Sequence, residues 1–418
     1  MTDGTHEQSG YLELVRTNVN FRRLWFGNII SLLGDWFNFI ALINVVGGLT
    51  NSPLALGIIF IAKMLPAAVA SPVAGLMVDR FNRRQLMIAA DVLRAVAVAG
   101  LIYADASSNV ALVYMLTVVQ VVISAVFQPA QTASIPNITK PHELLTANAL
   151  MAASWSVMLA LGAAAGGVAT SLFGSKVVFA LDAATYLLSA FFIFRTVIPQ
   201  EVGITSSGSI LRVAHREMRG GWRYLRSHAG VLRISLAKAT WAIGGGALVY
   251  MLALAGEKID ADAQDVAIGV LFAARGVGTG IGPVIVRHYF SDRRRWPTVL
   301  GACMAFSGLG YAVFGLLPWS YGLALIVVAA HASSGANWVL ATVMLQERTA
   351  DQYRGRVFAT EWLLVMAADT VSILAASLLL EWELLTLRAC IVLFAIILVL
   401  SGILWLRMIV PREQEHGA

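Results

Sequence analysis

The 418-residue sequence predicts an all-α membrane protein with twelve transmembrane helices in two six-helix bundles. Three observations support this fold class: an apolar composition, apolar runs that recur along the whole chain, and basic residues concentrated in alternate loops. Hydrophobic residues make up 58% of the chain and charged residues only 13%, whereas soluble proteins carry about 25% charged residues. So little charge cannot cover a water-facing surface, which excludes a soluble enzyme, a disordered chain and a secreted disulfide scaffold.

The apolar runs are long enough to be transmembrane helices. A hydrocarbon core about 30 Å thick requires roughly 20 apolar residues at 1.5 Å per residue. Barrel strands would instead alternate over about ten residues, which these runs do not do. The predicted spans are residues 23–49, 54–78, 85–104, 110–133, 145–172, 177–197, 231–255, 265–288, 298–316, 319–345, 357–380 and 386–409.

The basic residues predict the orientation of the spans. Of the 30 Lys and Arg, 23 fall in the termini and in alternate loops, beginning with the loop after span two, and three fall in the other loops. This positive-inside bias places both termini in the cytoplasm. The basic charge of the chain is therefore explained by topology, and no nucleic-acid partner is expected. We expect no cleavable signal peptide, because the first apolar run is too long for one.

The longest polar break divides the spans into six and six. It contains arginines interspersed with apolar residues at near-helical spacing. Such a pattern is typical of an amphipathic helix on the anionic inner leaflet, or of a plain basic linker that serves topology. The predicted organisation is a cytoplasmic segment 1–22, a bundle 23–197, the basic linker 198–230, a second bundle 231–409 and a cytoplasmic tail 410–418.

The loop after span two combines a helix end, a tight turn and a carboxylate next to several guanidiniums. Asp79 can pair with arginines or lie near the N-terminus of a neighbouring helix, where its charge is favourable. This predicts a charge-paired latch for gating at the cytoplasmic surface. The alternative is that the arginines only fix topology. The predicted gating residues are Gly75, Asp79, Arg80, Arg83 and Arg84.

This loop resembles the signature of the major facilitator superfamily, Gly-x-Leu-x-Asp-Arg-x-Gly-Arg-Arg/Lys. The five gating residues match it, Met77 replaces the leucine, and Asn82 replaces the second glycine. We expect Asn82 to supply the left-handed backbone geometry of that glycine, which asparagine tolerates.

Within that superfamily the chain is most similar to the branch of the enterobactin exporter and the macrolide-efflux proteins. The resemblance covers nearly the whole chain, from Asn20-Phe21-Arg22-Arg23-Leu24-Trp25 to Arg354-Gly355-Arg356-Val357-Phe358. It implies a secondary exporter driven by proton exchange. The span-five antiporter signature lacks its proline here, but the sequence retains the glycines that permit close helix packing, namely Gly162, Gly166 and Gly167.

Ionisable residues inside the spans are the candidates for proton coupling, since each costs about 2.5–3.5 kcal/mol at mid-depth unless paired or hydrated. Asp35 is about 18 Å into span one, and is either the coupling group or a partner of Lys63 or Arg94. Asp369 is the second coupling candidate, with Glu361 on roughly the same face. The intramembrane cations are predicted to line a central cavity or to pair with Asp35, Asp91, Glu361 and Asp369; they are Lys63, Arg94, Lys238 and Arg275.

Two of these predictions carry alternatives. Asp91 and Arg94 are three residues apart on one helix face and can satisfy each other, which favours a structural role. Arg275 could bind an anionic substrate or neutralise Asp369. Four tryptophans could stack on an amphipathic substrate in the cavity, or could pack against lipid and core; they are Trp36, Trp241, Trp338 and Trp362.

The sequence contains no metal-binding, nucleophile-elbow or phosphate-loop motif, so we expect neither an enzyme nor a cofactor or metal. We predict a monomeric, proton-coupled exporter of hydrophobic or amphipathic small molecules, such as a drug, macrolide or siderophore. It would work by alternating access in a bacterial inner membrane, with the substrate, protons and lipid as its partners. The alternatives are a lipid or nutrient importer or facilitator of the same fold, and a membrane sensor without transport.

Overall fold

The computed structural model describes residues 10–200, 210–290 and 292–415, and this part of the chain folds into α-helices with short 3-10 turns and no strand. The α-helices are α1 (Tyr11–Thr17), α2 (Val19–Thr50), α3 (Pro53–Arg80), α4 (Arg83–Ala106), α5 (Val110–Ile138), α6 (Leu144–Phe194), α7 (Ile210–Ser227), α8 (Ala229–Ile259), α9 (Gln264–Tyr289), α10 (Trp296–Leu316), α11 (Leu323–Arg348), α12 (Arg354–Glu381), α13 (Leu387–Met408) and α14 (Val410–Glu415).

Eleven helices in the described ranges are long and apolar enough to cross a membrane. The longest, α6, has 51 residues, which would extend about 76 Å at 1.5 Å per residue. Gly174 interrupts it with φ +76°, a conformation that glycine adopts without steric cost. The two arms, residues 144–173 and 175–194, are therefore separate crossing segments. The prediction of twelve spans is confirmed, with spans five and six joined at a single residue.

Polar side chains fix where several helices begin. Ser52 accepts a hydrogen bond from the backbone N–H of Ala55 at the start of α3, and Asn82 accepts one from Gln85 at the start of α4. These are N-caps, which satisfy N–H groups that have no partner within the helix. Asn82 has φ −65°, so the expected left-handed backbone there is wrong. Its side chain caps a helix, which a glycine could not do.

Successive segments alternate in direction and so define two faces of the molecule. We call one of them the terminal face; it holds the α3–α4, α5–α6, α9–α10 and α11–α12 connections, α7, and the first and last described residues of the chain. Hydrogen bonds between elements support this arrangement, because Asn18 donates to Ile138 and Arg233 donates to Glu413. The opposite face holds the remaining connections, including Gly174.

The helices form two bundles, α2–α6 and α8–α13. Within the first bundle α2 and α4 pack on α6, and α3 packs on α5; within the second, α10 packs on α13, α9 on α11 and α8 on α12. The bundles meet chiefly along α6–α9 and α3–α12. Residues 210–227 of the predicted linker form helix α7, which packs on α12 and α3 at the terminal face.

Candidate transport pathway

Five ionisable side chains of the first bundle form one electrostatic cluster. They are Asp35 of α2, Lys63 of α3, Asp91 and Arg94 of α4, and Asp182 of α6. Asp91, Arg94 and Asp182 are buried, while Asp35 and Lys63 are partly buried. Three carboxylates face two cations, so the fully ionised cluster carries one uncompensated negative charge. An unpaired charge is costly away from water, so this cluster has a physical reason to hold a proton.

A chain of hydrogen bonds connects Asp35 to Lys63. Tyr186 donates its hydroxyl hydrogen to the Asp35 carboxylate, and Gln120 Nε2 donates to the Tyr186 hydroxyl over 2.9 Å. Lys63 Nζ donates to Asn38 Oδ1 at 3.0 Å and makes a longer 3.5 Å contact with Gln120 Oε1. The polar groups of α2, α3, α5 and α6 thus form one connected path across the bundle.

Asp91 and Arg94 pair with each other, as their spacing predicts. The two side chains form an ion pair, and the guanidinium lies between the rings of Phe127 and Tyr186, 4.4 and 4.3 Å from their centroids. Such cation–π contacts are strongest when the groups are desolvated. The geometry favours a structural role for the pair.

Asp182 is not among the carboxylates predicted from the sequence. It lies on the second arm of α6, fully buried, and Thr185 donates a hydrogen bond to its Oδ1 over 3.3 Å. Its Oδ2 has no hydrogen-bond partner in the described part of the chain. The available signal was a lone carboxylate in the apolar run Phe179-Ala180-Leu181-Asp182-Ala183-Ala184, which has the same cost inside a membrane as Asp35.

Two cations and two carboxylates of the second bundle lie in pairs. Lys238 of α8 and Glu361 of α12 form a buried ion pair at 3.0 Å. Arg275 and Asp369 interact electrostatically, although no hydrogen bond joins them among the described residues. Asp369 is buried, and its Oδ1 lacks a hydrogen-bond partner in that part of the chain. Each of these two carboxylates, Glu361 and Asp369, thus faces one cation, unlike the three carboxylates that face two cations in the first bundle.

Two of the four predicted cavity tryptophans lie together next to the Lys238–Glu361 pair. The rings of Trp338 and Trp362 meet edge to face with centroids 6.0 Å apart, and Lys238 Nζ lies 4.7 Å from the Trp338 ring. Both tryptophans are more than a third exposed. An aromatic edge beside a cation is suited to an amphipathic ligand.

The other two tryptophans have different surroundings. Trp36 contacts Phe39 and Trp155 edge to face, at 5.7 and 6.5 Å between centroids. Trp241 is buried beside His331, whose Nε2 shares a 2.7 Å hydrogen bond with the Tyr311 hydroxyl. Burial favours core packing for Trp241, while Trp36 is partly buried.

The span-five glycines permit close helix approach. A Cβ on Gly162 would lie 2.9 Å from Trp36 Cβ, and one on Gly166 would lie 3.1 Å from Phe37 Cα, both on α2. A Cβ on Gly167 would lie 2.4 Å from the carbonyl oxygen of Asp265 on α9. The glycines thus bring α6 close to α2 and to the second bundle.

Two of the predicted gating arginines engage helix ends within the first bundle. Arg83 donates to the Ala133 carbonyl at 2.7 Å, and Arg84 donates to the Phe194 carbonyl. Cations at helix C-termini complement the helix dipole.

Asp79 is exposed, and the described residues include no hydrogen-bond or ion-pair partner for it. A Cβ on Gly75 would meet open space. The described residues therefore do not show the pairing expected for Asp79, and the latch stays a prediction.

The two bundles are bonded to each other at the opposite face. Asn44 Nδ2 donates to both carboxylate oxygens of Asp265, at 3.0 and 2.9 Å. Glu381 of α12 accepts from the Ser52 hydroxyl at 2.6 Å and from the Leu54 N–H at 3.0 Å. A carboxylate of one bundle therefore caps the N-terminus of α3 in the other, a position where negative charge is favourable.

Replacing Gly57 with valine should loosen this closure. A Cβ on Gly57 would lie 2.7 Å from Ser377 Cβ, so a larger side chain forces α3 and α12 apart. Ile268 is 1% exposed and lines a pocket of about 600 Å³ at the opposite face. The reporter is Ile268→Cys in a background without the native cysteines. It should react with a membrane-impermeant thiol reagent several-fold faster when Gly57→Val is also present than when Gly57 is retained.

Gly48→Val is the matched control, because a Cβ on Gly48 has no neighbour within 4 Å. With Gly48→Val, the Ile268→Cys thiol should react at the same rate as in the protein that keeps both glycines. Equal rates in the two glycine variants would show that the Gly57–Ser377 contact does not hold the bundles together.

Two bundles bonded at one face, with charged clusters inside the membrane-spanning region, define a membrane transporter. The model of the Major Facilitator Superfamily matches residues 24–366, and the chain belongs to this family. The chain is 27% identical to BacE of Bacillus subtilis, whose name assigns it to bacilysin export, over 92% of this chain and 93% of that protein. It is 23% identical to macrolide efflux protein A of Streptococcus pyogenes, over 86% and 89%.

Solved structures show the same fold. A bacterial homologue of the human lysosomal transporter Spinster aligns with TM-score 0.72 and 14% identity, covering 96% of this chain and 98% of that one. A transporter of the POT family in complex with 5-aminolevulinic acid aligns with TM-score 0.75 and 10% identity, over 94% and 96%. The protein is thus a multi-pass membrane transporter of this fold.

Proposed function

We propose that the protein is a proton-coupled exporter of hydrophobic or amphipathic small molecules, with both termini in the cytoplasm of a bacterium. The observation that carries proton coupling is the first-bundle cluster, in which three carboxylates face two cations. Asp35 is the group of this cluster that we assign to proton exchange, because it is partly exposed and bonded to Tyr186. Asp182 of the same cluster and Asp369, the second coupling candidate predicted from the sequence, are the further carboxylates that could exchange the proton.

Protonation changes the net charge of the cluster from negative to neutral. A neutral cluster tolerates burial better than a charged one, so proton binding and release bias the equilibrium between the two orientations of the bundles. One charge moved across 100 mV is worth about 2.3 kcal/mol. That free energy is enough to concentrate a cargo more than tenfold.

The contacts between the bundles in this structure fit the half of the transport cycle in which the opposite face is closed. The opposite face is bonded through Asp265 and Glu381, whereas Asp79 at the terminal face lacks a described partner. We assign the latch of Asp79 to the state in which the terminal face closes. The positive-inside bias supports a cytoplasmic position for the terminal face.

The cargo class rests on the Trp338–Trp362 edge beside Lys238 and on the relatives. Aromatic faces recognise a molecule with apolar surface, and the buried Lys238–Glu361 ion pair beside them adds polar groups without a net charge. The names of the relatives, bacilysin export and macrolide efflux, support antibiotics as probes. A siderophore remains within the proposed class.

The test is transport by the purified protein in proteoliposomes sorted for the orientation with the terminal face outside. With an acidic lumen, a labelled macrolide and an amphipathic cationic dye serve as separate probes. We expect accumulation of at least one probe in the lumen and its loss when a proton ionophore collapses the gradient. Cargo flux that ignores the gradient would contradict proton coupling and identify a facilitator; accumulation only with the reversed gradient would identify an importer.

A further inference from the structure

Helix α7 carries an uninterrupted stripe of positive charge. Its arginines are spaced by four, three, four and three residues, which at 3.6 residues per turn puts them on one side of the helix. All five are exposed. The side directly opposite carries Ala214, Met218, Gly221 and Leu225, of which Ala214 and Leu225 are buried. The members of the stripe are Arg212, Arg216, Arg219, Arg223 and Arg226.

The side of α7 opposite the stripe is docked on the protein. A Cβ on Gly221 would lie 2.4 Å from Thr360 Oγ1 of α12, so the two helices touch there. Glu217 forms an ion pair with Arg356, and the Tyr224 ring stacks on Tyr353 at 4.5 Å. The apolar side therefore packs on α12 rather than on a membrane. The one acidic residue of α7 already has a basic partner, so it does not neutralise the stripe.

The C-terminal half of the stripe forms a groove. Arg219, Trp222, Arg223, Arg226 and Ser227 line a volume of about 610 Å³, and no acidic side chain of the described residues lines it. The Arg226 guanidinium lies 5.9 Å from the Trp222 ring. Guanidiniums present several N–H donors in a planar fork that matches phosphate oxygens. The groove therefore has the donors and the charge for a phosphate group.

We propose that this groove binds the headgroup of an anionic phospholipid of the inner leaflet. Ser227 ends α7, and the membrane-spanning α8 begins at Ala229, so the groove lies within a few residues of the bilayer. Anionic lipids of that leaflet attract basic segments, and tryptophan is enriched at the membrane interface. The assignment rests on the proposed cytoplasmic orientation of the terminal face.

Lipid binding at this groove acts on both bundles. Helix α7 is held to α12 of the second bundle and also packs on α3 of the first. These are two of the helices that meet between the bundles. A bound lipid thus anchors α7 where the bundles move relative to each other, and anionic lipid should change the rate of transport.

The test counts lipids on the full-length protein by native mass spectrometry, after addition of phosphatidylglycerol or phosphatidylcholine to detergent micelles. The groove variant is Arg219→Gln/Arg223→Gln/Arg226→Gln. We expect its preference for phosphatidylglycerol to fall about tenfold or more, because each basic residue near an anionic surface contributes appreciably.

The matched control removes the same charge from another exposed segment of the terminal face, with Arg293→Gln/Arg294→Gln/Arg295→Gln. It should retain the preference of the parent. Equal losses in the two variants, or no loss in the groove variant, would overturn the proposal. Displacement of phosphatidylglycerol from the parent by millimolar inorganic phosphate would also overturn it, since the groove would then serve a free anion.

This outcome is separable from that of the transport test. Asp35→Asn should lose gradient-driven transport and keep the lipid preference of the parent. A groove variant that loses the lipid preference but still accumulates cargo in response to the gradient supports both proposals. Retention of the preference in that variant overturns only the lipid site.

Discussion

Asp35→Asn should abolish gradient-driven accumulation of cargo while leaving the protein folded. Asparagine keeps the size of the side chain and can still accept the hydrogen bond from Tyr186, but it cannot bind and release a proton. If one proton drives one cargo molecule, loss of coupling removes about 2.3 kcal/mol per 100 mV, which is about a fiftyfold loss in accumulation. The measurement is the ratio of cargo inside and outside proteoliposomes at a fixed gradient.

Asp260→Asn is the control for this substitution. Asp260 is a carboxylate outside the spans at the opposite face, and the hydrogen bond from Tyr321 lowers the pKa of the Asp260 carboxyl below its ordinary value. It therefore stays ionised in the assay, and its amide should transport like the parent. Accumulation that survives in Asp35→Asn and is lost in Asp182→Asn would contradict our assignment and move the coupling proton to Asp182.

The difference between Asp35 and Asp182 shows what the sequence could predict. Depth along an apolar run follows from residue spacing, so Asp35 was recognisable as an intramembrane charge. The surplus carboxylate is a property of how α2, α3, α4 and α6 converge, and a linear pattern does not contain those distances. Asp182 is distant in sequence from Lys63 and Arg94, and only tertiary packing makes the three interact.

Local patterns predicted local geometry well. The Asp91–Arg94 pair lies within one helical turn and was predictable from its i,i+3 spacing. The exposure of Asp79 was not predictable from its local sequence, because the partner of its carboxylate depends on the arrangement of the two bundles. Likewise, the turn at Gly174 required only one non-helical residue, where the sequence indicated a short loop between two runs.

Arg94→Met should produce the largest loss of stability. It removes the cation from a buried ion pair and leaves the Asp91 carboxylate uncompensated, with its Oδ2 already lacking a described partner. Removing one member of a buried pair costs about 3–5 kcal/mol. The measurement is the free energy of unfolding in mixed micelles titrated with sodium dodecyl sulfate. Arg293→Met, at an exposed surface pair, should change it by less than about 1 kcal/mol.

The double variant Asp91→Asn/Arg94→Met tests the cause of that loss. It removes both charges, so most of the stability should return, because replacing a whole buried pair by neutral groups is often close to neutral. It also leaves Asp35 and Asp182 facing Lys63, so the surplus of one carboxylate is preserved. Gradient-driven transport per folded molecule should therefore persist in the double variant although it is lost in Asp35→Asn. A double variant that folds well but ignores the gradient would make the Asp91–Arg94 pair part of the proton path and not a structural support for it.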